Sequence, residues 1–411
     1  MKTGAVPSAL PTGELPPPDG RLPPSVREAA RGVPFGIYVH IPFCLTRCGY
    51  CDFNTYTANE LGAGVSRGSY VDTVLLELRL ARHVLRDVAP LASTVFFGGG
   101  TPTILPAEHL GLVVREIKDL FGLVSDVEIT TEANPDSVTP AYFDKLRAAG
   151  FTRVSIGMQS AIPHVLAVLD RTHGPGRPEE AVAEAQAAGF DHVNLDLIYG
   201  APHETDADWQ TSLEMAIGAR PDHISAYALV VEEGTALARQ VAAGALPPPD
   251  DDVLADRYVQ ADETLRRAGF EWYEVSNWAT GEAGRCRHNE LYWANANWWG
   301  IGPGAHSHVG GLRWWNVKHP AAYADRLTAG VSPAQDAELL TDADRALETI
   351  MLGLRLREGL PLEALSATGR ARARESVARG LLEPRAHDAG RAVLTDRGRL
   401  LADAVIRELT D

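Results

Sequence analysis

The sequence predicts an α/β protein: an incomplete (β/α)6 barrel followed by a mostly helical, winged-helix-like C-terminal domain. Short apolar runs rich in β-branched residues alternate with amphipathic segments of helical period, which is the pattern of a parallel sheet with crossover helices. The alternation gives six units, fewer than the eight of a closed barrel. Polar or glycine-rich motifs follow several runs directly. We therefore expect a functional site at the carboxyl ends of the strands.

Six runs with the composition of buried strands are the predicted barrel strands. They cover residues 37–42, 94–97, 127–131, 154–158, 193–199 and 224–229. Between them, apolar residues recur with the i, i+3, i+4, i+7 spacing of one helical face, as in Val71, Val74, Leu75 and Leu78.

Composition shifts divide the chain into four predicted regions. Residues 1–33 form a disordered arm rich in Pro and Gly, 34–240 the partial barrel, 241–335 an extension, and 336–411 the winged-helix-like domain. Between 370 and 411, nine Arg stand against seven Asp and Glu. A winged helix that binds DNA is usually more basic, so packing or a protein partner is favoured over nucleic acid.

Charge and cysteine content exclude several classes of protein. The 411-residue chain carries 38 Lys and Arg against 54 Asp and Glu, a formal charge of −16, which disfavours a groove for nucleic-acid phosphates. No apolar run reaches the ~20 residues of a membrane-spanning helix, and the N-terminus lacks the apolar core of a secretory signal. Four cysteines are too few for a disulfide-dense scaffold. We expect a cytoplasmic protein.

Three of the four cysteines, Cys44, Cys48 and Cys51, lie on one loop directly after the first predicted strand. Three thiolates can hold three irons of a cubane cluster and leave the fourth iron open for another ligand. A structural zinc site is an alternative, but it needs four ligands, and Cys286 and His288 lie far along the chain. A disulfide is a weaker alternative in a reducing compartment.

A run of three glycines, Gly98 to Gly100, follows the second predicted strand and precedes Thr101. Glycines let the backbone approach a ligand closely. The run lacks the Gly-Lys-Ser/Thr that ends a phosphate-binding loop, and a tight turn is the alternative interpretation.

Charged and amide side chains follow the next strands. Glu128 and Glu132 share one face of the third strand, where a buried charge needs a partner or a ligand; a solvent-exposed Glu128 is the alternative. Gln159, Arg171 and Asp196 come later, and the guanidinium fork of Arg171 suits a carboxylate. Each residue alone could be structural, but their repetition at successive strand ends indicates a ligand site.

Together, these segments resemble one branch of the radical S-adenosylmethionine (SAM) superfamily. The matching segments are YVHIPFC with CxxC, GGGTP, ExTxExNP, SxGxQS, LxRxH and DLIYG, within about residues 36–235, and later YEVSNWA, HNELYW and MLGLRL. That branch holds oxygen-independent coproporphyrinogen III dehydrogenase and its relatives, the heme chaperones of the HemW type. The resemblance implies a [4Fe-4S] cluster, SAM, and an electron donor to the cluster, whose electron could turn SAM into a 5′-deoxyadenosyl radical.

The resemblance also assigns residues. It implies that Cys44, Cys48 and Cys51 bind the cluster and that Tyr38 contacts SAM beside it. The other implied SAM-site positions are Tyr50, Gly99, Gly100, Thr101, Glu132, Gln159, Arg171 and Asp196.

Two features distinguish the relatives within the branch. The dehydrogenase has a further Cys two residues after the last cluster Cys, where Phe53 stands in this chain. The heme chaperones carry an HNxxYW motif, present here at residues 288–293. Imidazole is a natural ligand of heme iron, and Tyr and Trp can stack on a porphyrin, so His288 is the predicted heme contact. A hydrogen-bonded structural role is the alternative for His288; Cys286, His306 and His308 are further candidates.

The expected function is therefore that of a heme chaperone, which binds the cluster, SAM and heme and transfers heme to acceptor hemoproteins. Respiratory acceptors would imply peripheral contact with a membrane. The alternatives are radical decarboxylation of coproporphyrinogen III and another radical SAM reaction on a tetrapyrrole, so enzymatic activity is left open.

Overall fold

The barrel strands lie where the sequence predicts them. In this computed structural model, which describes residues 13–61, 66–88 and 90–410, six consecutive strands pair in parallel. They are β1 (Phe35–Ile41), β2 (Ala92–Gly99), β3 (Leu123–Ala133), β4 (Arg153–Gln159), β5 (His192–Tyr199) and β6 (His223–Ala228). The predicted α/β class and open six-stranded barrel are confirmed.

Strands from residues 271–339 lengthen this sheet at both ends, to twelve strands in the described chain. Beyond β6, an antiparallel pair forms one end: β7 (Glu271–Glu274) and β8 (Asn277–Ala279). Beyond β1, the sheet continues with β9 (Asn297–Ile301), β10 (His306–Val309), β11 (Leu312–Asn316) and β12 (Ala334–Leu339). Only β9 continues the parallel direction, pairing with β1, and the other three are antiparallel to their neighbours.

Helices connect the strands; most helices of the barrel pack their apolar faces into the main core, whereas the C-terminal helices pack into a core of their own. They are α1 (Pro24–Ala29), α2 (Arg67–Leu85), α3 (Ala107–Phe121), α4 (Pro140–Ala148), α5 (Pro163–Val168), α6 (Arg177–Ala187), α7 (Asp206–Gly218), α8 (Ala236–Ala242), α9 (Asp251–Arg267), α10 (Arg287–Trp293), α11 (Pro320–Thr328), α12 (Asp342–Gly353), α13 (Ala367–Ala378), α14 (Pro384–Asp388), α15 (Asp396–Leu400) and α16 (Ala402–Thr410). Short 3-10 turns cover Ala58–Glu60, Arg86–Val88, Pro102–Ile104, Pro135–Ser137, Glu282–Gly284 and Leu362–Ala364. None of the described helices combines the length and apolar character needed to cross a membrane.

Hydroxyl side chains fix where several helices begin. The Thr139 Oγ accepts the N–H of Tyr142 at 3.3 Å and so caps α4. At α12, Thr341 and Asp344 satisfy each other's backbone N–H groups. Such caps satisfy amide groups that have no partner within the helix and contribute about 1 kcal/mol each.

The N-terminal arm differs from the expectation of a disordered segment over residues 1–33. From residue 13 on it packs on the protein: α1 forms, and Leu22, Val26 and Ala30 are buried in the main core. Glu14 and Ala337 of β12 exchange two backbone hydrogen bonds of 2.8 Å. Three apolar residues four positions apart are enough to dock a short helix, and the surrounding prolines obscured that pattern. Residues 1–12 of the predicted arm lie outside the described residues.

The C-terminal region has a hydrophobic core of its own. It includes Ile350 and Leu354 of the α12 segment and Val405, Ile406 and Leu409 of α16. A two-stranded antiparallel sheet joins β13 (Leu360–Pro361) to β14 (Arg391–Ala392). The region is mostly helical, as predicted.

A buried carboxylate on α2 joins the barrel to its extension. Glu77 accepts hydrogen bonds of 2.8 Å from the N–H of Gly302 and from Asn316 Nδ2, and a third from the Tyr323 hydroxyl of α11. Burial raises the pKa of Glu77 to about 7, against these hydrogen bonds, which lower it. The folded state therefore holds the Glu77 proton more tightly than the unfolded chain does.

The first prediction concerns the pH dependence of stability through Glu77. Because the pKa is raised on folding, its contribution to stability is complete below about pH 4.3 and is lost as the pH rises to about 7. We expect the unfolding free energy of the wild type, relative to Glu77→Gln, to fall over this range by up to about 1.4 kcal/mol per pH unit. Urea unfolding of both proteins at several pH values measures it; a difference that rises with pH would contradict the assignment.

Candidate functional site

A cavity of about 550 Å³ opens at the carboxyl ends of β1 to β6, where the sequence predicts the chemistry. Its wall contains most of the predicted site residues: Cys44, Cys48, Tyr50, Cys51, Gly99, Gly100, Thr101, Glu132, Gln159, Arg171 and Asp196. The structure therefore brings these residues onto one surface, which we call the first cavity. Tyr38 and His288 line neighbouring cavities instead.

Backbone hydrogen bonds hold the cysteine loop against the ends of β1 and β2. The N–H of Cys44 donates to the carbonyl of Tyr56 at 3.1 Å. The N–H of Thr101 donates to the carbonyl of Phe43 at 2.7 Å and so joins this loop to the glycine run. The loop is thus fixed at both its ends on the rim of the first cavity.

Burial disfavours the thiolate forms of the cysteine loop. Burial raises the pKa of Cys51 to about 11 and also raises the pKa of Cys44, so iron must displace thiol protons when it binds. Within residues 13–61, 66–88 and 90–410, no three Cys, His or acidic side chains converge as ligands of one ion. A structural zinc site needs four ligands on one ion, whereas each thiolate of a cubane cluster binds its own iron.

The glycine run leaves no room for side chains. Gly99 has a φ of +110°, and its N–H donates to Glu132 Oε2 at 3.1 Å. A Cβ at Gly99 would lie 2.5 Å from the His40 ring, and one at Gly100 would overlap the carbonyl oxygen of Phe43. The packing of β1 against β2 thus requires glycine here, independently of any ligand.

Two side chains at the wall of the first cavity carry buried polar atoms without a partner. Gln159 ends β4 with a φ of +59°, and its Oε1 accepts no hydrogen bond from the described residues. Arg171 donates to the carbonyl of Gly157 at 3.0 Å and lies 3.6 Å from the sulfur of Cys48, while its Nε is unpartnered. Buried polar atoms are nearly always satisfied, so these two point to a polar ligand beside the cysteine loop.

Burial disfavours the ionised forms of two acidic residues of the site. Burial and the charge of Asp196 raise the pKa of Glu132 to about 8. Burial likewise raises the pKa of Asp196, although Ser155 Oγ at 2.6 Å and Asn194 Nδ2 at 2.8 Å donate to it. Their ionised forms are therefore stabilised when a cationic or hydroxyl-bearing group binds.

Tyr38 lies beside the first cavity rather than in its wall. Its hydroxyl hydrogen-bonds His40 Nδ1 at 3.0 Å, and the ring faces a second cavity of about 610 Å³ and a third of about 220 Å³. Glu132 lines all three cavities, so they adjoin at this residue. The SAM contact assigned to Tyr38 stays a prediction.

For Glu128 the sequence allows two interpretations, a buried charge with a partner or a solvent-exposed carboxylate. In the structure Glu128 is buried and paired. Its Oε2 lies 3.0 Å from Nε of Arg153 on the adjacent strand β4, both nearly inaccessible to solvent. Arg153 also donates to the carbonyls of Gly284 and Arg285, at 2.8 and 2.7 Å. Arg153 is not among the residues that the sequence predicts for the site. An arginine at the start of a buried strand was the available signal, because such a charge requires an acidic neighbour.

The same carboxylate holds the first turn of α10, the helix that carries HNELYW. Glu128 accepts the N–H groups of Arg287 and His288 at 3.2 and 3.1 Å, and the Cys286 thiol lies 3.7 Å away. A carboxylate at a helix N-terminus is favourable for both the free N–H groups and the helix dipole. Cys286 is thus part of this junction and lies apart from the cysteine loop.

His288 displays the hydrogen-bonded structural role that the sequence left open. Its Nδ1 is 2.7 Å from Thr94 Oγ, its Nε2 is 2.8 Å from the Tyr292 hydroxyl, and the ring is 1% exposed. The ring stacks on Phe96, and burial lowers the pKa of His288 to about 3. A heme iron would have to replace one of these hydrogen bonds, so the heme contact of His288 remains a prediction that this geometry does not favour.

The comparison with protein families agrees with the geometry. The chain matches the Radical SAM superfamily over residues 38–216 and the HemN C-terminal domain over residues 340–401. The solved structure of coproporphyrinogen III oxidase (HemN) from Escherichia coli superposes with a TM-score of 0.79, covering 94% of this chain and 92% of that one, at 22% identity. At that identity the likeness shows the fold.

Curated relatives are similar over nearly the whole chain. "Heme chaperone HemW" of Mycobacterium tuberculosis (strain CDC 1551 / Oshkosh) is 54% identical over 378 residues, covering 92% of this chain and 95% of that protein. "Heme chaperone HemW" of Escherichia coli (strain K12) is 33% identical over 389 residues, covering 91% and 97%. The chain therefore belongs to the radical SAM superfamily and, within it, to the HemW family.

Proposed function

We propose that this protein is a heme chaperone: it binds a [4Fe-4S] cluster, SAM and heme, and transfers heme to acceptor hemoproteins. The full-length similarity to HemW proteins carries this proposal. Phe53, which lies on the rim between the first and second cavities, supports it, because the dehydrogenase branch would have a cysteine there.

The residues of the first cavity have separate roles in this proposal. Cys44, Cys48 and Cys51 would hold three irons of the cluster. When bound, the cluster supplies an electron and an open iron to which SAM can coordinate. Arg171 would orient the SAM carboxylate through its guanidinium fork, and Gln159 would offer the unpartnered Oε1 to a donor group of SAM.

Asp196 and Glu132 would complete the SAM site. Both carboxyl groups are suited to the ribose hydroxyls or the ammonium of SAM, because a bound donor would offset the burial that raises the pKa of each. Tyr50 and Thr101 would contribute to the wall, and Gly99 and Gly100 would allow close approach to the backbone.

The wider setting follows from the same proposal. The proposal places the protein in the cytoplasm and requires an electron donor to the cluster. Its acceptors would include respiratory hemoproteins, which it would reach at a membrane surface. The described helices offer no membrane-spanning segment, so such contact would be peripheral.

Decarboxylation of coproporphyrinogen III is the second candidate function. The HemN-like fold favours it, since the two structures superpose over almost their full lengths. Phe53 opposes it.

The second prediction separates the cluster cysteines from Cys286. Cys44→Ser removes one iron ligand, so anaerobic reconstitution should leave less than about a tenth of the wild-type iron and sulfide. Cys286→Ser is the matched control and should keep the wild-type content, because Cys286 lies at the Glu128 junction. Iron and sulfide analysis of both variants measures this. An equal loss in both would restore a four-cysteine site.

The third prediction tests the SAM site. Arg171→Ala should raise the Kd for SAM about tenfold to a hundredfold in the reconstituted protein, because hydrogen bonds to charged groups contribute about 1.5–3 kcal/mol. Arg372→Ala, which removes an exposed ion pair with Glu375 on α13, is the control and should leave the Kd unchanged. Equilibrium binding of SAM measures both, and an unchanged Kd in Arg171→Ala would remove that residue from the site.

The fourth prediction decides between the two functions. The reconstituted protein should form no protoporphyrinogen IX from coproporphyrinogen III under anaerobic reducing conditions with SAM. In a parallel absorption titration it should bind hemin. Decarboxylation at a rate typical of enzymes, about 1 s⁻¹ or more, would establish the dehydrogenase instead.

A further inference from the structure

The second cavity lies between the barrel and the C-terminal domain. Tyr38 and His40 of β1 form one side, Tyr292 and Trp298 a second, and residues of α12 a third. Its volume of about 610 Å³ is within the ~300–1,000 Å³ of pockets that enclose organic ligands. It also borders the cysteine loop at Phe53, so a ligand in it would lie next to the cluster site.

His306 is the histidine of this wall that is open to a metal. His306 is exposed at the wall, and neither of its ring nitrogens hydrogen-bonds any described residue. His40, the other histidine of this wall, uses both of its nitrogens, on Tyr38 and on the carbonyl of Asn54 at 2.9 Å. His288 is likewise doubly bonded, and His308 is buried with its Nδ1 on the carbonyl of Ala296 at 2.8 Å.

The position of His306 is fixed although its ring is open. Its carbonyl accepts the indole N–H of Trp298 at 3.0 Å, and its backbone pairs with Trp315 in the β10–β11 ladder. The ring also stacks on Trp315, with centroids 5.8 Å apart and planes inclined by 29°. A histidine that is held in place by its strand and by stacking loses little conformational freedom when it binds a metal.

The chemistry around the ring suits a planar metal complex. Tyr292, Trp298 and Phe53 offer aromatic surface. Arg313 is paired with Glu348 at 2.8 Å and Glu338 at 3.1 Å. Anionic groups at the edge of a bound molecule would therefore have to compete with these carboxylates for the guanidinium of Arg313. The metal bond would therefore carry most of the specificity.

We propose that the second cavity is the heme site and that His306 is an axial ligand of the heme iron. This inference rests on the proposed heme-chaperone function and specifies its site. The imidazole nitrogen donates its lone pair to the iron, and the aromatic wall contacts the porphyrin face.

The test is a hemin titration of the reconstituted full-length protein, followed by absorption spectroscopy. The wild type should show the Soret band of a histidine-ligated heme. His306→Ala should lose that band and bind hemin at least tenfold more weakly, and added imidazole should restore the histidine-ligated spectrum. Rescue by imidazole identifies ligation, because a purely structural histidine would not be replaced in this way.

His308→Ala, two residues along the same strand, is the matched control and should keep the wild-type spectrum. Wild-type iron and sulfide contents in His306→Ala would show that its fold is intact. A band that survives His306→Ala and disappears in His288→Ala would overturn the assignment to His306. A wild type that binds no hemin would instead overturn the heme-chaperone function itself.

Discussion

The buried ion pair between Glu128 and Arg153 holds helix α10 of the extension against the barrel. Two charges removed from water are costly unless both find further hydrogen bonds, and here both do. Glu128 takes the first N–H groups of α10, and Arg153 takes the carbonyls of the turn before it. The position of HNELYW relative to the barrel thus depends in part on this pair of neighbouring strands. Loss of either partner would leave an uncompensated buried charge at this junction.

Glu132 lies where the three cavities adjoin. Its carboxyl group accepts the N–H of Gly99 and has its pKa raised by burial and by Asp196. Charges in any of the three cavities therefore affect the ionisation of this group. A cation bound in the first cavity would favour its ionised form, and that charge would then be present at the wall of the second.

The barrel and its site could be predicted because their signals are local. Short β-branched runs give the strands, and the carboxyl ends of parallel strands necessarily lie together, so Cys44, Glu132 and Asp196 were grouped correctly. The pairing of β9 with β1 could not be predicted, since it joins segments more than 250 residues apart that carry no matching pattern. The sequence leaves the state of His288 open, because its partner Thr94 comes from a distant strand, although its other partner, Tyr292, lies one turn along the same helix. A motif indicates that a histidine matters, but only contacts show which of its nitrogens are free.

The open sheet has one further consequence, for self-association. A twelve-stranded sheet that does not close leaves two outer strands, β12 and β7, whose unpaired backbone groups could recruit another molecule. The segment around Glu14 covers β12 through its two hydrogen bonds with Ala337. At the other end, Leu356 bridges to Glu274 and the N–H of Arg357 donates to the carbonyl of Tyr273 at 2.8 Å. The proline-rich arm and the C-terminal domain thus also cover the two edge strands, which hinders their pairing with strands of another molecule.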